Sequence, residues 1–354
     1  MNRKEKITAK MKSKTGKFPR GEKNSITDIN GVKVGHLTVN KNIQEAPGKI
    51  GIIRTGLTTI LPYPMEKEMR LFMGWFTLRG KNEITGYEVM DDFCYLNSPL
   101  VITNSFNVGI VYNAILSYGF SLSRVEIWPP FVIGVNDSYL NDMRKSLLDE
   151  KEILNVFHNA SSGKVEEGSV GIGLGLRAFG WKGGIGTSSR ILYLGHQQFR
   201  CGVLVASNSG NQQSLEKPET ESNSIQNGDG SLIIVISVDI PLVPYQIKQI
   251  TSSLVSSLPS ANILNNCLDS ISCVLFSTAN SMNMEKEGPL IYEFELTDDS
   301  LLAEIILAGT EAIKEAIFNS LLRATPVEGR LGRKIETIPD NEFKKLLKEF
   351  GSEF

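Results

Sequence analysis

The sequence predicts an α/β protein in which stacked sheets are covered by helices. Its strand-like segments are apolar throughout, as in Phe131-Val132-Ile133-Gly134-Val135 and Leu232-Ile233-Ile234-Val235-Ile236, so both strand faces meet other protein. Its helical segments are amphipathic, as in Met143 to Ala160, where Leu147, Leu148, Ile153, Leu154 and Phe157 share one side. The two classes come in clusters, which disfavours a doubly wound parallel sheet.

The first elements follow from turn chemistry. Ile26 to His36 reads as two short strands about Asn30-Gly31. Gly51 to Arg54, Leu57 to Leu61 and Leu100 to Asn104 read as strands, and Val108 to Leu116 as a helix. A glycine-dense region spans Gly168 to Gly186, before strands at Arg190–Leu194 and Gly202–Ala206. Beyond Ser231 lie a buried strand, a helix from Pro244 to Ser257 and a strand from Ser272 to Phe276. A long periodic helix covers Leu301 to Leu322 with a break expected near Gly309, and a short charged helix starts at Asn341.

A chain of 354 residues buries a full core, and a net charge of −2 gives no global field for nucleic acid or membranes. Residues 1–24 are the exception, with nine Lys or Arg against Glu5 and Glu22. That stretch reads as a disordered basic arm preceding one domain over 25–354. No apolar segment approaches the roughly 20 residues that span a bilayer. Cys94, Cys201, Cys267 and Cys273 lack metal-ligand spacing and read as free thiols in a reducing cytoplasm. His36, His158 and His196 are isolated, so no metal site is expected.

The motif richest in chemistry is Asn227-Gly228-Asp229-Gly230-Ser231. A polar stretch, Ser207 to Gln226, precedes it and the β-branched run follows, so Ser231 stands where a loop meets a buried strand. Cleavage between Gly230 and Ser231 would place a free α-amine beside the Ser231 hydroxyl, with nucleophile and base on one residue. A glycine-rich turn leading into a strand is the plainer reading. Gly171-Ile172-Gly173-Leu174-Gly175 lacks dinucleotide-binding spacing. These glycines either let two backbone segments pass closely or line a substrate pocket at Gly173. The run Gly180-Trp181-Lys182-Gly183-Gly184-Ile185-Gly186-Thr187-Ser188-Ser189-Arg190 is either a tight hairpin or a segment under another geometric demand.

Several of these segments resemble the DmpA-type aminopeptidases, which include L-aminopeptidase/D-Ala-esterases and β-peptidyl aminopeptidases. They are Gly163 to Val170, the Gly180–Arg190 run, Gly202 to Asn208, Asn82 to Gly86, Thr103 to Gly109, Phe276 to Asn280, and Gly228 to Ser231 with Asp239 to Leu242. The resemblance runs from Ser25 to Pro339 in one order. It implies a four-layer α/β/β/α sandwich, autocleavage into 1–230 and 231–354, and Ser231 as nucleophile. It also implies Asn208 as the amide donor to the oxyanion, no cofactor, and a homo-oligomer of cleaved protomers.

Two sites depart from that family's pattern. Its Ser-Gly-Asp/Glu triplet falls on Asp269-Ser270-Ile271 when aligned without gaps from Phe276, which puts Ile271 at the carboxylate. Asp269 or Ser270 could substitute after a local shift. The family's site tyrosine is replaced by Asn136, with Tyr139 as the neighbouring stand-in for the pocket. The resemblance thus implies a self-processing serine aminopeptidase or amidase acting on short peptides, amides or esters with a free amino terminus. A weakly active homologue serving as a binding or assembly subunit is the alternative, and an acyltransferase ranks last.

Overall fold

A computed structural model describes residues 16–46, 49–123, 129–145, 148–209, 230–260, 270–285, 288–289 and 291–349. The principal strands in chain order are β1 Lys33–Ala46, β2 Lys49–Leu61, β3 Met69–Leu78, β4 Glu83–Ile84, β5 Tyr95–Leu96, β6 Leu100–Asn104 and β7 Phe131–Val135. They continue with β8 Arg177–Ala178, β9 Trp181–Lys182, β10 Gly184–Leu194, β11 Gln197–Asn208, β12 Ser231–Val238 and β13 Ser270–Asn283. The α-helices are α1 Tyr87–Asp92, α2 Val108–Ser121, α3 Glu150–Asn159, α4 Pro244–Ser260, α5 Leu302–Leu322 and α6 Asp340–Glu349.

One sheet has the order β1-β2-β6-β7-β4 and the other β10-β11-β12-β13-β3-β5. One core cluster joins Ile53, Leu57, Ile102 and Ile133 of the first sheet to Leu204, Ile233, Val235 and Val274 of the second, and takes in Ile115 of α2 and Phe157 of α3. The other lies between the second sheet and α4, α5 and α6, with Leu232, Ile234, Ile236, Ile250, Leu254 and Ile317. The expected α/β/β/α sandwich is therefore the fold. The apolar run Leu232 to Ile236 fills both cores by alternation, because successive strand residues face opposite sides.

Several elements differ from their sequence expectation. Ile26–Asp28 is a 3-10 turn closed by a capping box between Ser25 and Asp28, so β1 begins only at Lys33. The helix expected from Met143 starts at Glu150, where the Asp149 side chain accepts from the Lys151 and Glu152 amides. Helix α5 runs unbroken through Gly309, whose added Cβ would sit 3.2 Å from Leu254, so the glycine lets two helices pack closely. The Gly180–Arg190 run is both a hairpin and a strand. Phe179 and Gly180 turn with positive φ between β8 and β9, and Gly184 opens β10. Gly186 belongs in a strand here because a Cβ would lie 1.9 Å from the Ala316 carbonyl of α5.

The arm expected at 1–24 is corrected over its last residues. The Lys17 and Phe18 amides donate to Glu311, and the Gly21 amide donates to Ser189 Oγ. The Arg20 guanidinium binds Glu315 through two nitrogens at 2.9 Å each, and Arg190, itself buried, binds the same carboxylate. Residues 1–15 lie outside the described residues. Deleting 1–24 should therefore lower the unfolding midpoint by several degrees in calorimetry, and Arg20→Ala alone should cost about 1–3 kcal/mol in denaturant titration.

Candidate active site

Register builds the site. Across β11 and β12, Asn208 pairs with Ser231; across β12 and β13, Ser231 pairs with Ser270. Three polar residues thus stand abreast at one end of three neighbouring strands. Ile233 and Val235 face the first sheet, so Ser231 shares that inter-sheet face. Ser231 is 3% exposed, and its Oγ has no hydrogen-bond partner among the described residues. A buried hydroxyl without a partner is uncommon and calls for an explanation. The backbone amide of Ser270 donates to the Gly230 carbonyl at 3.0 Å, the carbonyl that Ser231 follows. Residues 210–229, which include Asn227, Gly228, Asp229 and most of the polar segment before them, lie outside the described residues, as do Cys267 and Asp269.

The third strand corrects the ungapped alignment. Ile271 is 1% exposed and packs in the helix-covered core, away from Ser231. Ser270 and Ser272 occupy the Ser231 face. Asn82 Nδ2 confirms this by donating to Ser272 Oγ at 3.1 Å and Ser270 Oγ at 3.5 Å. The Lys81 amide also donates to Ser270 Oγ, and Thr77 Oγ1 donates to the Ile271 carbonyl. Asn82 was quoted above only as part of a motif; the structure gives it contact with both serines.

Asn208 is held on both sides of its amide. Its Oδ1 accepts from the Arg177 backbone N–H at 3.2 Å, and its Nδ2 donates to the Asn136 carbonyl at 2.8 Å. One of the two amide N–H groups is therefore used by the Asn136 carbonyl. The side chain of Asn136 is occupied elsewhere, accepting from the Ser138 amide at 3.0 Å. Tyr139 lies with its ring 4.1 Å from the Arg177 guanidinium carbon and 4.6 Å from that of Arg333. That contact ties the 136–139 turn to the segment that caps Asn208.

Behind the turn is a buried polar network. Asp137 accepts from Thr55 Oγ1 at 2.6 Å and Asn141 Nδ2 at 3.0 Å, and Thr55 accepts from Asn104 Nδ2 at 2.7 Å. Burial raises the Asp137 carboxyl from 3.8 to about 6, against the opposing effect of its hydrogen bonds. Gly173 is buried, and a Cβ there would lie 2.5 Å from the Gly168 carbonyl and 2.8 Å from the Ile185 amide nitrogen. Close backbone passage accounts for this glycine; its carbonyl accepts from Lys182 Nζ. Among the described residues, no group of three or more His, Cys, Asp or Glu stands together to hold a metal ion.

Two stacked sheets between helical layers place the chain in the class of aminopeptidases that share a variant of the Ntn hydrolase fold. The chain belongs to peptidase family S58, which matches residues 24–335. It is 31% identical over 353 residues to the beta-peptidyl aminopeptidase BapA of Sphingosinicella microcystinivorans, covering 93% of this chain and 89% of that protein. It is similar to the PH0078 protein of Pyrococcus horikoshii OT3 at 30% identity and a TM-score of 0.83, over 97% of this chain and 99% of that one. It is also similar to the L-aminopeptidase D-Ala-esterase/amidase of Ochrobactrum anthropi, described as a prototype for the serine aminopeptidases and a variant of the Ntn hydrolase fold. There the identity is 27% and the TM-score 0.83, over 97% of this chain and 98% of that one.

Ile271→Asp should not support hydrolysis. It should cost about 3 kcal/mol or more, because it removes buried apolar volume and places a charge in the helix-covered core; urea unfolding measures this. Asp137 sets a pH dependence. Its folded pKa is raised, so the folded state holds the proton that the unfolded state has already lost. Stability from this group is present below pH 3.8 and is lost as pH rises towards about 6. The wild-type minus Asp137→Asn difference in unfolding free energy should therefore fall across that window and level off above it.

Proposed function

We propose that the chain is a self-processing serine aminopeptidase or amidase that acts on short peptides, amides or esters with a free amino terminus. The observation that carries this reading is the buried, unpaired Ser231 hydroxyl, flanked in register by Asn208 and Ser270. In processing, Ser231 Oγ attacks the Gly230 carbonyl carbon, and the C–N bond breaks as the acyl group passes to oxygen. The Ser270 amide already donates to that carbonyl oxygen. As the C–N bond breaks, the nitrogen takes the hydroxyl's proton and is freed as the Ser231 α-amine. Water then hydrolyses the ester, which yields the Gly230 carboxylate and restores the Ser231 hydroxyl.

In turnover, the α-amine takes the proton from Oγ as Oγ attacks the substrate carbonyl, and it returns the proton to the leaving group. The second Asn208 N–H donates to the oxyanion, and water releases the acyl group. These steps use only groups of the chain and water. The proposed form is a homo-oligomer of cleaved protomers over one processed domain, with residues 16–24 docked on it. A cytoplasmic setting is supported by Cys94, Cys201 and Cys273, which are buried free thiols. Among the described residues, no helix is long and apolar enough to cross a membrane.

One observation favours low turnover, the second reading. The hydroxyls beside Ser231 are held by Asn82, Lys81 and Thr77 through amides and a hydroxyl, where the related family places a carboxylate. A loosely oriented amine with an error of about 1 Å can lose on the order of a hundredfold in rate.

Intact mass and amino-acid p-nitroanilide hydrolysis test the proposal. Wild type should give fragments of roughly 25 and 14 kDa, and Ser231→Ala one folded, full-length chain without turnover. Asn208→Ala should slow turnover by roughly 10²–10³-fold. A wild-type chain that stays intact after long incubation would refute self-processing.

A further inference from the structure

Lys182 sits inside the glycine-dense run and takes no part in the steps above. Its side chain is fully buried. Its Nζ donates to the carbonyls of Gly173 at 2.7 Å, Leu176 at 2.8 Å and Gly183 at 2.7 Å. The three N–H donors of an ammonium are thus matched by three backbone acceptors. Burial pushes the Lys182 ammonium down from 10.5 to about 7, while its three carbonyl partners match the geometry of the protonated form. An apolar residue of similar length would fill the space without the cost of a buried cation.

The Leu176 carbonyl has a second importance. It belongs to the same peptide unit as the Arg177 N–H, which donates to Asn208 Oδ1 at 3.2 Å. The carbonyl and N–H of a peptide form one conjugated group. A cationic donor on the oxygen draws electron density from the nitrogen, so the N–H becomes a stronger donor, and hydrogen bonds in a chain strengthen one another. The Asn208 side chain is also an amide. A stronger bond at its Oδ1 strengthens its Nδ2–H donors by the same route. One donor holds the Asn136 carbonyl, and the other belongs to the residue paired in register with Ser231.

We propose that Lys182 is a positioning residue of the hydrolytic site: its ammonium holds and polarises the Leu176–Arg177 peptide, which holds the Asn208 amide. This rests on the reading of Ser231 as nucleophile and Asn208 as oxyanion donor. The same ammonium ties the Gly171–Gly175 turn and the residue preceding β10 to that peptide, so Asn208 is fixed by backbone from two segments.

The test is Lys182→Met, alone and combined with Asn208→Ala, with turnover on an amino-acid p-nitroanilide and the rate of self-cleavage as readouts. Lys182→Met should lower kcat by roughly ten- to a hundredfold and leave KM within about twofold, since it weakens a bond that matters in the transition state. Against an Asn208→Ala background it should change the residual kcat by less than about twofold, because two residues that act through one bond are not additive. If Lys182→Met fails to fold in a denaturant titration, Lys182→Gln is read by the same criteria. Full kcat in the folded variant, or an equal loss in both backgrounds, overturns the role of Lys182. A wild type that is inert towards substrate instead overturns the reading of Ser231, and the Lys182 role with it.

Discussion

The register between β11, β12 and β13 is the constraint on which the site depends. A slip of one residue would turn Ser231 into the helix-covered core and bring Leu232 or Gly230 beside Asn208. Apolar burial prevents this. Leu232, Ile233, Ile234, Val235 and Ile236 are each fully buried, alternating between two cores, and each contributes roughly 1.5–3 kcal/mol. The unpaired Ser231 hydroxyl costs about 1–3 kcal/mol. The apolar side chains therefore outweigh the unpaired polar end of the strand, and the serine stays where the two cores place it.

Main-chain atoms position the polar groups. Asn208 is held by the Arg177 N–H and the Asn136 carbonyl, neither of which depends on a side chain. Position 136 can therefore lose the aromatic ring of the related family without losing its grip on Asn208. What the backbone contacts require is that their own segments stay in place. The Asp137, Thr55 and Asn104 network holds one segment, and the arginine–tyrosine contact joins it to the other.

The parts of this architecture legible in the sequence are those set by local pattern. β-branched runs marked the strands at 100–104, 131–135 and 232–236, and the Gly-Asp-Gly-Ser motif marked Ser231 at a strand start. The missed features are set by distant neighbours. Gly184 to Ser189 has the composition of a loop, yet it pairs with β11 as strand, and its glycines answer to close neighbours, Gly168 at Gly184 and α5 at Gly186. Gly309 reads as a helix break until Leu254 is seen against it. Residues 17–24 are cationic and lack periodicity, and their carboxylate partners, Glu304, Glu311 and Glu315, lie nearly 300 residues along the chain. The Ile271 assignment failed on parity: strand faces alternate every residue, so an alignment wrong by one position changes the face.

That parity also bears on the proposed base. With Ile271 turned away, the groups on the Ser231 face of β13 are the Ser270 and Ser272 hydroxyls, with the neutral Asn82 amide bridging them. A carboxylate there would orient the Ser231 amine, but it would also raise the pKa of that amine by favouring the ammonium. Hydroxyls offer weaker orientation and less preference for the charged form. An unperturbed α-amine titrates near pH 8, and burial moves it lower. On the proposed assignment, this site exchanges some geometric control of its base for a larger neutral fraction at pH 7. Most of the remaining control then falls to the oxyanion side, where Asn208 is bound at both ends of its amide.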